Sequence, residues 1–212
     1  HVLSRRQRQM CIRDSTLTLP ARMLFGVLLF GVLLSGCGAT SAPPAPVTIT
    51  SEIFSPVSVN ARKLTIVENW QMPVTAPYVG HRQTPYPSNL VSDWASTVLV
   101  PAGGSGELIL DISRAAVMQE KLVREDSLTK TLTDEQDVRI RVELEAQLMW
   151  LQPVGDAKAR IKLSAVHSVT VAESATANDV QAAINDSLQA ALAALDLQAR
   201  AELSKVDNIV LQ

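Results

Sequence analysis

Cysteine is almost missing from this chain, and what there is lies near one end. Only Cys11 and Cys37 occur among 212 residues. Everything beyond Cys37 therefore lacks a thiol for a disulfide, a thiolate nucleophile or a cysteine-bound metal. Histidine is as scarce: after His1 there are only His81 and His167. Two histidines without cysteine do not make a zinc site of the usual spacing. Aromatic residues are 4% of the chain, so Ala, Val, Leu and Ile must fill any core. A basic excess is also missing. Five of the 19 Lys and Arg and one of the 21 Asp and Glu precede Cys37, which leaves 14 bases against 20 acids beyond it. Nucleic-acid binders carry a basic stripe, so no nucleic-acid partner is expected. The apolar run Met23 to Leu34 falls short of the roughly twenty residues a membrane-spanning helix needs.

That run has the length of the hydrophobic region of an export signal. The small residues Ser35 and Gly36 follow it, just before Cys37. A signal protease reads an extended chain in a narrow groove, which requires small side chains there. The order Leu34-Ser35-Gly36-Cys37 resembles the lipobox of bacterial lipoproteins. The resemblance implies cleavage between Gly36 and Cys37, a diacylglycerol on the Cys37 thiol, and acylation of the new amino terminus. Several acyl chains on one residue meet the requirement that stable anchoring takes more than one. Gly38 stands where an Asp would retain such a protein in the inner membrane, so the resemblance favours the outer membrane, facing the periplasm. The alternative is a buried helix with an ordinary Cys. Residues 1–15 carry Arg5, Arg6, Arg8 and Arg13 and look like translated sequencing adapter. They are expected to be a non-native leader, with a basic signal flank as the alternative, and residues 16–36 the signal peptide.

Residues 37–46 include Pro43, Pro44 and Pro46 and read as a semi-rigid linker. Residues 47–212 are long enough for a single domain with a real core. Within it, residues 47–62 hold at most a short edge strand, because Pro56 is excluded from a central one. Lys63 to Asn69 is a β-branched strand. Gln71 to Pro87 carries Pro73, Pro77, Pro85 and Pro87, which exclude regular structure. With Tyr78, His81 and Tyr86, this loop is either a binding loop or a lid that crosses one face and tucks its tyrosines in. Ser88 to Leu99 reads as a helix capped by Ser88, with Leu90, Val91, Trp94, Ala95 and Val98 on one face.

Glu107 to Met118 is expected to be a strand with Leu108, Leu110, Ile112, Ala116 and Met118 facing one way and Arg114 breaking the row. Lys121 to Asp137 is highly charged and reads as a long hairpin connection or a pair of extended strand ends. From Val138 to Trp150 the alternation is perfect: Val138, Ile140, Val142, Leu144, Ala146, Leu148 and Trp150 face one side. One face of this strand is buried and one is wet. Ala157 to Val171 repeats the pattern, with Lys158, Arg160 and Lys162 outward. Opposite charges on the outer faces suggest Arg139, Arg141, Glu143 and Glu145 against Arg160 and Lys162. Asn178 to about Val206 is a long amphipathic helix, with Asn178 and Gln181 resembling a capping box. Its apolar stripe is Val180, Ile184, Leu188, Ala191, Leu192, Leu195, Ala199 and Leu203. The tail Ile209-Val210-Leu211 is a candidate last strand. The fold class is then α+β: a two-layer domain with a mainly antiparallel sheet of about four strands, covered on one face by two helices in the order β-α-β-β-β-α.

Candidate chemistry is thin. Gly103-Gly104-Ser105-Gly106 follows a helix and precedes a strand, the reverse of a phosphate cradle, and reads as a turn. Asp134, Glu135 and Asp137, with Glu125 and Asp126, lack the spacing of a calcium loop and read as a solvated charge run. His167 next to Ser164 or Ser168 is the sole hint of a hydrolase, with no nucleophile-elbow motif around it. No cofactor, metal site or catalytic residue is assigned, and no enzyme activity is expected.

By element order the body resembles the auxiliary lipoproteins of ABC-type envelope transporters and the lipopolysaccharide-assembly lipoproteins, several of which share a sheet covered by two helices. Trp70 to Trp150 looks like uncharacterised alphaproteobacterial lipoproteins. The resemblance implies an accessory or adaptor protein that docks on an envelope partner. Candidate contacts are Tyr78, His81 and Tyr86 in the loop, Arg139 and Arg141 on the wet sheet face, or an exposed strand edge. The alternative is a module that binds lipid or another apolar ligand between sheet and long helix.

Overall fold

The computed structural model describes residues 42–50, 52–122, 136–153, 155 and 158–211. Gly36, Cys37, residues 1–15, the export signal, and Glu125, Asp126, Asp134 and Glu135 lie outside the described residues. The elements are β1 (Val57–Val59), β2 (Lys63–Glu68), α1 (Pro87–Val98), β3 (Leu99–Pro101), β4 (Glu107–Lys121), β5 (Gln136–Leu151), β6 (Lys158–Ala172) and α2 (Ala177–Leu203). The main sheet runs β2-β4-β5-β6. β2 joins β4 in parallel, and the other pairs are antiparallel. This is the expected α+β arrangement of four strands and two helices, with β1 and β3 added as a small parallel sheet.

The core lies between the inner sheet face and the helices. Opposite residues in a ladder share a face, so Leu108↔Trp150, Leu110↔Leu148, Ala146↔Leu163 and Leu144↔Ala165 form continuous apolar rows. α1 packs on β4, and α2 on β5 and β6. The α1 face Leu90, Val91, Trp94, Ala95 and Val98 is buried, as is the α2 stripe from Ile184 to Leu203. Each fully buried large side chain in these rows contributes about 1.5–3 kcal/mol. The Trp94 indole N–H donates to Asp196 Oδ1 at 3.0 Å, tying the two helices together.

One strand departs from its expected faces. The β4–β5 register slips between Ile112 and Arg114, and Ser113 is the extra residue. A bulge adds one residue and so exchanges the faces beyond it. Ala115 and Val117 therefore face the core, opposite Leu144 and Val142. Arg114, Ala116 and Met118 stand on the outer face, which corrects the expectation that Ala116 and Met118 share a face with Leu108.

The helix caps also differ from expectation. α1 starts at Pro87, whose fixed φ suits the first helical position. Tyr86 is its N-cap without a side-chain bond, and Ser88 is buried instead of capping. α2 is capped by Thr176, not Asn178. Asp179 N–H donates to Thr176 Oγ1 at 3.2 Å, and Thr176 N–H donates to Asp179 Oδ2 at 2.8 Å. This reciprocal pair is a capping box with Asp179 in the place expected of Gln181.

The tail pairs, but with β1 and not the main sheet. Val210 bridges Val59, Asn60 N–H donates to Ile209 O at 2.8 Å, and Leu211 N–H to Ser58 O at 2.9 Å. The Asn60 carbonyl accepts from Trp150 Nε1 and Gln152 Nε2, each at 2.7 Å. Gly104 (φ +92°) abuts this residue, and a Cβ there would collide with Asn60 Oδ1. The glycine-rich stretch is thus a turn that packs against the β1–β2 connection.

Candidate functional site

The outer sheet face is where the polar halves of the alternating strands collect. The bulge at Ser113 brings Arg114 onto this face, and β5 supplies Glu143 and Arg141. Arg114 Nε lies 2.6 Å from Glu143 Oε2, and Arg141 Nε lies 2.7 Å from Glu143 Oε1. One carboxylate therefore binds two guanidiniums. Trp70, just past β2, covers the group: Arg114 Cζ is 5.4 Å from its ring centroid, within cation–π range. Burial by itself would lower the Arg114 pKa. The charge and hydrogen bond of Glu143, and then the Tyr78 hydroxyl, outweigh it and hold the guanidinium above its ordinary value.

Tyr78 reaches this cluster because the proline-rich loop finishes the sheet margin. Val79 N–H donates to Val117 O at 2.8 Å, and Gln119 N–H to Pro77 O at 2.9 Å. Tyr78 thereby bridges Met118 and shares its face. β2 covers β4 over Glu107–Ile112, and this loop segment covers it further along. The loop closes an edge, where a binding loop or a lid crossing one face was the expectation. Of its two tyrosines, Tyr78 is partly buried and Tyr86 stays half exposed.

The five residues singled out in the sequence are thus divided. Tyr78 and Arg141 meet through Arg114 and Glu143. Arg139 is exposed on the same face of β5, between Glu120 and Thr170. His81 lies in a short 3-10 turn, Gly80–Arg82, where its Nε2 accepts from Arg82 Nε at 3.3 Å. Tyr86 stands apart at the start of α1. Sequence reasoning missed Trp70, Arg114 and Glu143 as a unit. The available signal was Arg114 itself, an arginine interrupting an apolar row.

The expected charge pairing between β5 and β6 does not form. Lys158, Arg160 and Lys162 lie opposite Leu151, Met149 and Gln147, while Glu145 and Glu143 lie opposite Ser164 and Val166. The antiparallel register places the β6 cations at the far end of the sheet from Arg139 and Arg141. β6 has β5 on one side and, among the described residues, no strand on the other. Ser164 N–H points out from that free margin and donates to Gln198 Oε1 of α2 at 2.8 Å.

The structure does not bring His167 together with Ser164 or Ser168. His167 pairs with Val142 and faces inward. Ser164 and Ser168 are exposed on the opposite face, because side chains alternate along a strand. The sheet backbone separates imidazole from hydroxyl. Among the described residues no three His, Cys, Asp or Glu side chains are grouped to hold a metal ion.

No protein-family model matches the chain, and no curated protein does. Solved structures with some likeness include the rare lipoprotein B from Shewanella oneidensis, at 13% identity and a TM-score of 0.35, over 67% of this chain and 97% of that one. A protein from Xanthomonas campestris matches at 13% identity and 0.32, over 76% and 98%. A neuraminyllactose-binding hemagglutinin homolog from Helicobacter pylori matches at 11% identity and 0.35, over 76% and 91%. Likeness at this level carries no information about function.

Proposed function

We propose that this protein is a lipid-anchored, periplasm-facing accessory protein of an envelope transport or assembly system, and that it works by docking on a protein partner and not by catalysis. The observation that carries the reading is the free margin of β6. Among the described residues, the fifteen of Lys158–Ala172 have a ladder on one side only, and Gln198 meets the outward Ser164 N–H. A strand margin of that length is a template for strand addition. The lipobox-like Leu34-Ser35-Gly36-Cys37 supports the anchor, and Gly38 supports the outer membrane as its destination.

Close packing of the interior supports docking over carriage of an apolar ligand. Ala191, Leu192 and Leu195 of α2 are fully buried, as are Leu144 and Leu163 of the sheet. Small alanines bring the helix onto the sheet and leave little room between them.

The test is site-specific photocrosslinking in intact cells, using the full lipoprotein. Val166, 52% exposed on β6, is the probe position, and Leu197, 71% exposed on α2, is the control. One defined envelope protein joined to position 166 and absent from position 197 is the expected result. Equal labelling at both, or none at either, would overturn the docking reading. Cys37→Ser should shift the chain from the membrane to the soluble fraction; membrane retention would remove the anchor.

A further inference from the structure

We infer that the free margin of β6 between Lys158 and Lys162 takes an acidic β-strand of the partner, one with carboxylates at alternate positions; this rests on the docking reading above. The backbone comes first. Ser164 N–H leaves the β5 ladder and reaches Gln198. Backbone direction alternates along a strand as side chains do. Lys158, Arg160 and Lys162 share the parity of Ser164, so their N–H and C=O groups also point outward from the margin. Their side chains meanwhile stand on the wet face, about 7 Å apart.

These three cations differ from most others on the same face; Arg139, which also has no ion pair among the described residues, stands opposite Glu120. Arg114 and Arg141 share Glu143, and Lys63 lies 3.8 Å from Glu107. Lys158, Arg160 and Lys162 are exposed and face only Leu151, Met149 and Gln147. Among the described residues none of them has an ion pair. They remain unsatisfied in a body whose acids outnumber its bases, 20 to 14 beyond Cys37. An incoming strand sets its residues directly opposite those of β6, on the same face. Carboxylates at every second position would then meet all three cations. Its intervening apolar residues would extend the inner face beside α2.

The same charges exclude a second copy of this chain on this stretch. Antiparallel pairing about Arg160 sets Lys158 against Lys162, and parallel pairing in register sets each cation against itself. Edge cations deter such self-association. Gln198 caps the Ser164 N–H, so a strand that runs on from Lys162 to Val166 displaces that one amide. At the other end lies a surface cavity of about 560 Å³ whose charged lining residues are Arg62, Lys63, Lys158 and Glu107, the last paired with Lys63.

The experiment titrates the full chain in non-ionic detergent with a labelled peptide of alternating glutamate and valine, and with its glutamine-for-glutamate isomer. The glutamate peptide should bind about tenfold more tightly, the sum of several modest exposed ion pairs. The preference should fade at about 1 M salt. Lys158→Glu, Arg160→Glu and Lys162→Glu together should reverse it toward a lysine–valine peptide. Arg160→Gln alone, the milder change, should reduce it about threefold. Equal binding of the two peptides, binding of neither, or uptake by phosphatidylglycerol vesicles through these cations without peptide preference would each overturn the inference. If crosslinking at Val166 still captures an envelope protein, only the partner's charge is wrong. If that capture also fails, the docking reading falls with it.

Discussion

Along β4 the sheet is covered twice, by β2 over Glu107–Ile112 and by residues 77–79 over Val117–Gln119, whereas along β6 a ladder exists on one side only among the described residues. The two margins belong to the same sheet and share one core. They differ in how their polar groups are met. Over these stretches β4 is met by a strand or a loop, with β2 itself the end strand on that side, and the cations Arg114 and Arg141 share a carboxylate under an aromatic ring. On the β6 side, one side-chain amide meets one backbone donor, and three cations face uncharged neighbours. This chain meets the polar groups of the first margin itself, and the second is where the proposed docking would occur.

The largest expected effect erases the comparison. Trp94 is fully buried at the contact of the two helices. Trp94→Ala should cost about 3–5 kcal/mol, and urea unfolding should show both margins lost in one transition. A partial transition that spares β4 would mean the margins rest on separate cores.

Proline substitution tests the contrast directly. Gln119→Pro removes the donor to Pro77 O at the closed margin and should cost about 2 kcal/mol in urea unfolding. Ser168→Pro lies at a position whose N–H faces outward, and should cost about 1 kcal/mol or less. Equal losses would show that the β6 margin is not open.

Glu143→Gln sharpens the comparison by making the closed margin resemble the open one. Arg114 and Arg141 lose their shared charge, for an expected cost of about 1 kcal/mol that shrinks at high salt. A stability that does not change in either condition would remove Glu143 as the tie. The smallest effect concerns the helix that backs β6. Thr176 holds the Asp179 pKa below its ordinary value of 3.8 through backbone and side-chain hydrogen bonds. A depressed carboxylate pKa contributes stability that is present above the ordinary value and is lost as pH falls through the lowered one. Asp179→Asn should lower stability slightly in the neutral range, where the charged carboxylate contributes, and flatten that part of the acid unfolding curve, followed by circular dichroism.

Much of the fold was legible because two strands and one helix carry strict periods. The β5 row from Ile140 to Trp150 and the α2 stripe from Ile184 to Leu203 are buried as their spacing requires, with Val138 partly buried at the end of the row. The β4 faces were not legible. Ala115, Ala116, Val117 and Met118 are all apolar, so a one-residue bulge just before them leaves no trace in the pattern. The caps were misread because Pro87 and Thr176 lie one or two residues outside the positions that apolar spacing indicates. The outer-face cluster was least visible of all. Trp70, Tyr78, Arg114 and Glu143 come from four separate segments, and only the bulge, the ladder register and the loop path bring them together.

What the sequence determined by itself is the α+β class and the buried face of β5, β6 and both helices, because a repeat of two or 3.6 residues has one way to hide its apolar side. The lipobox-like Leu34-Ser35-Gly36-Cys37 is likewise a local word, read without the fold. Tertiary structure alone decided which cations are tied and which are left free. Charge pairing on a sheet depends on strand order and register, and a shift of one residue exchanges every partner.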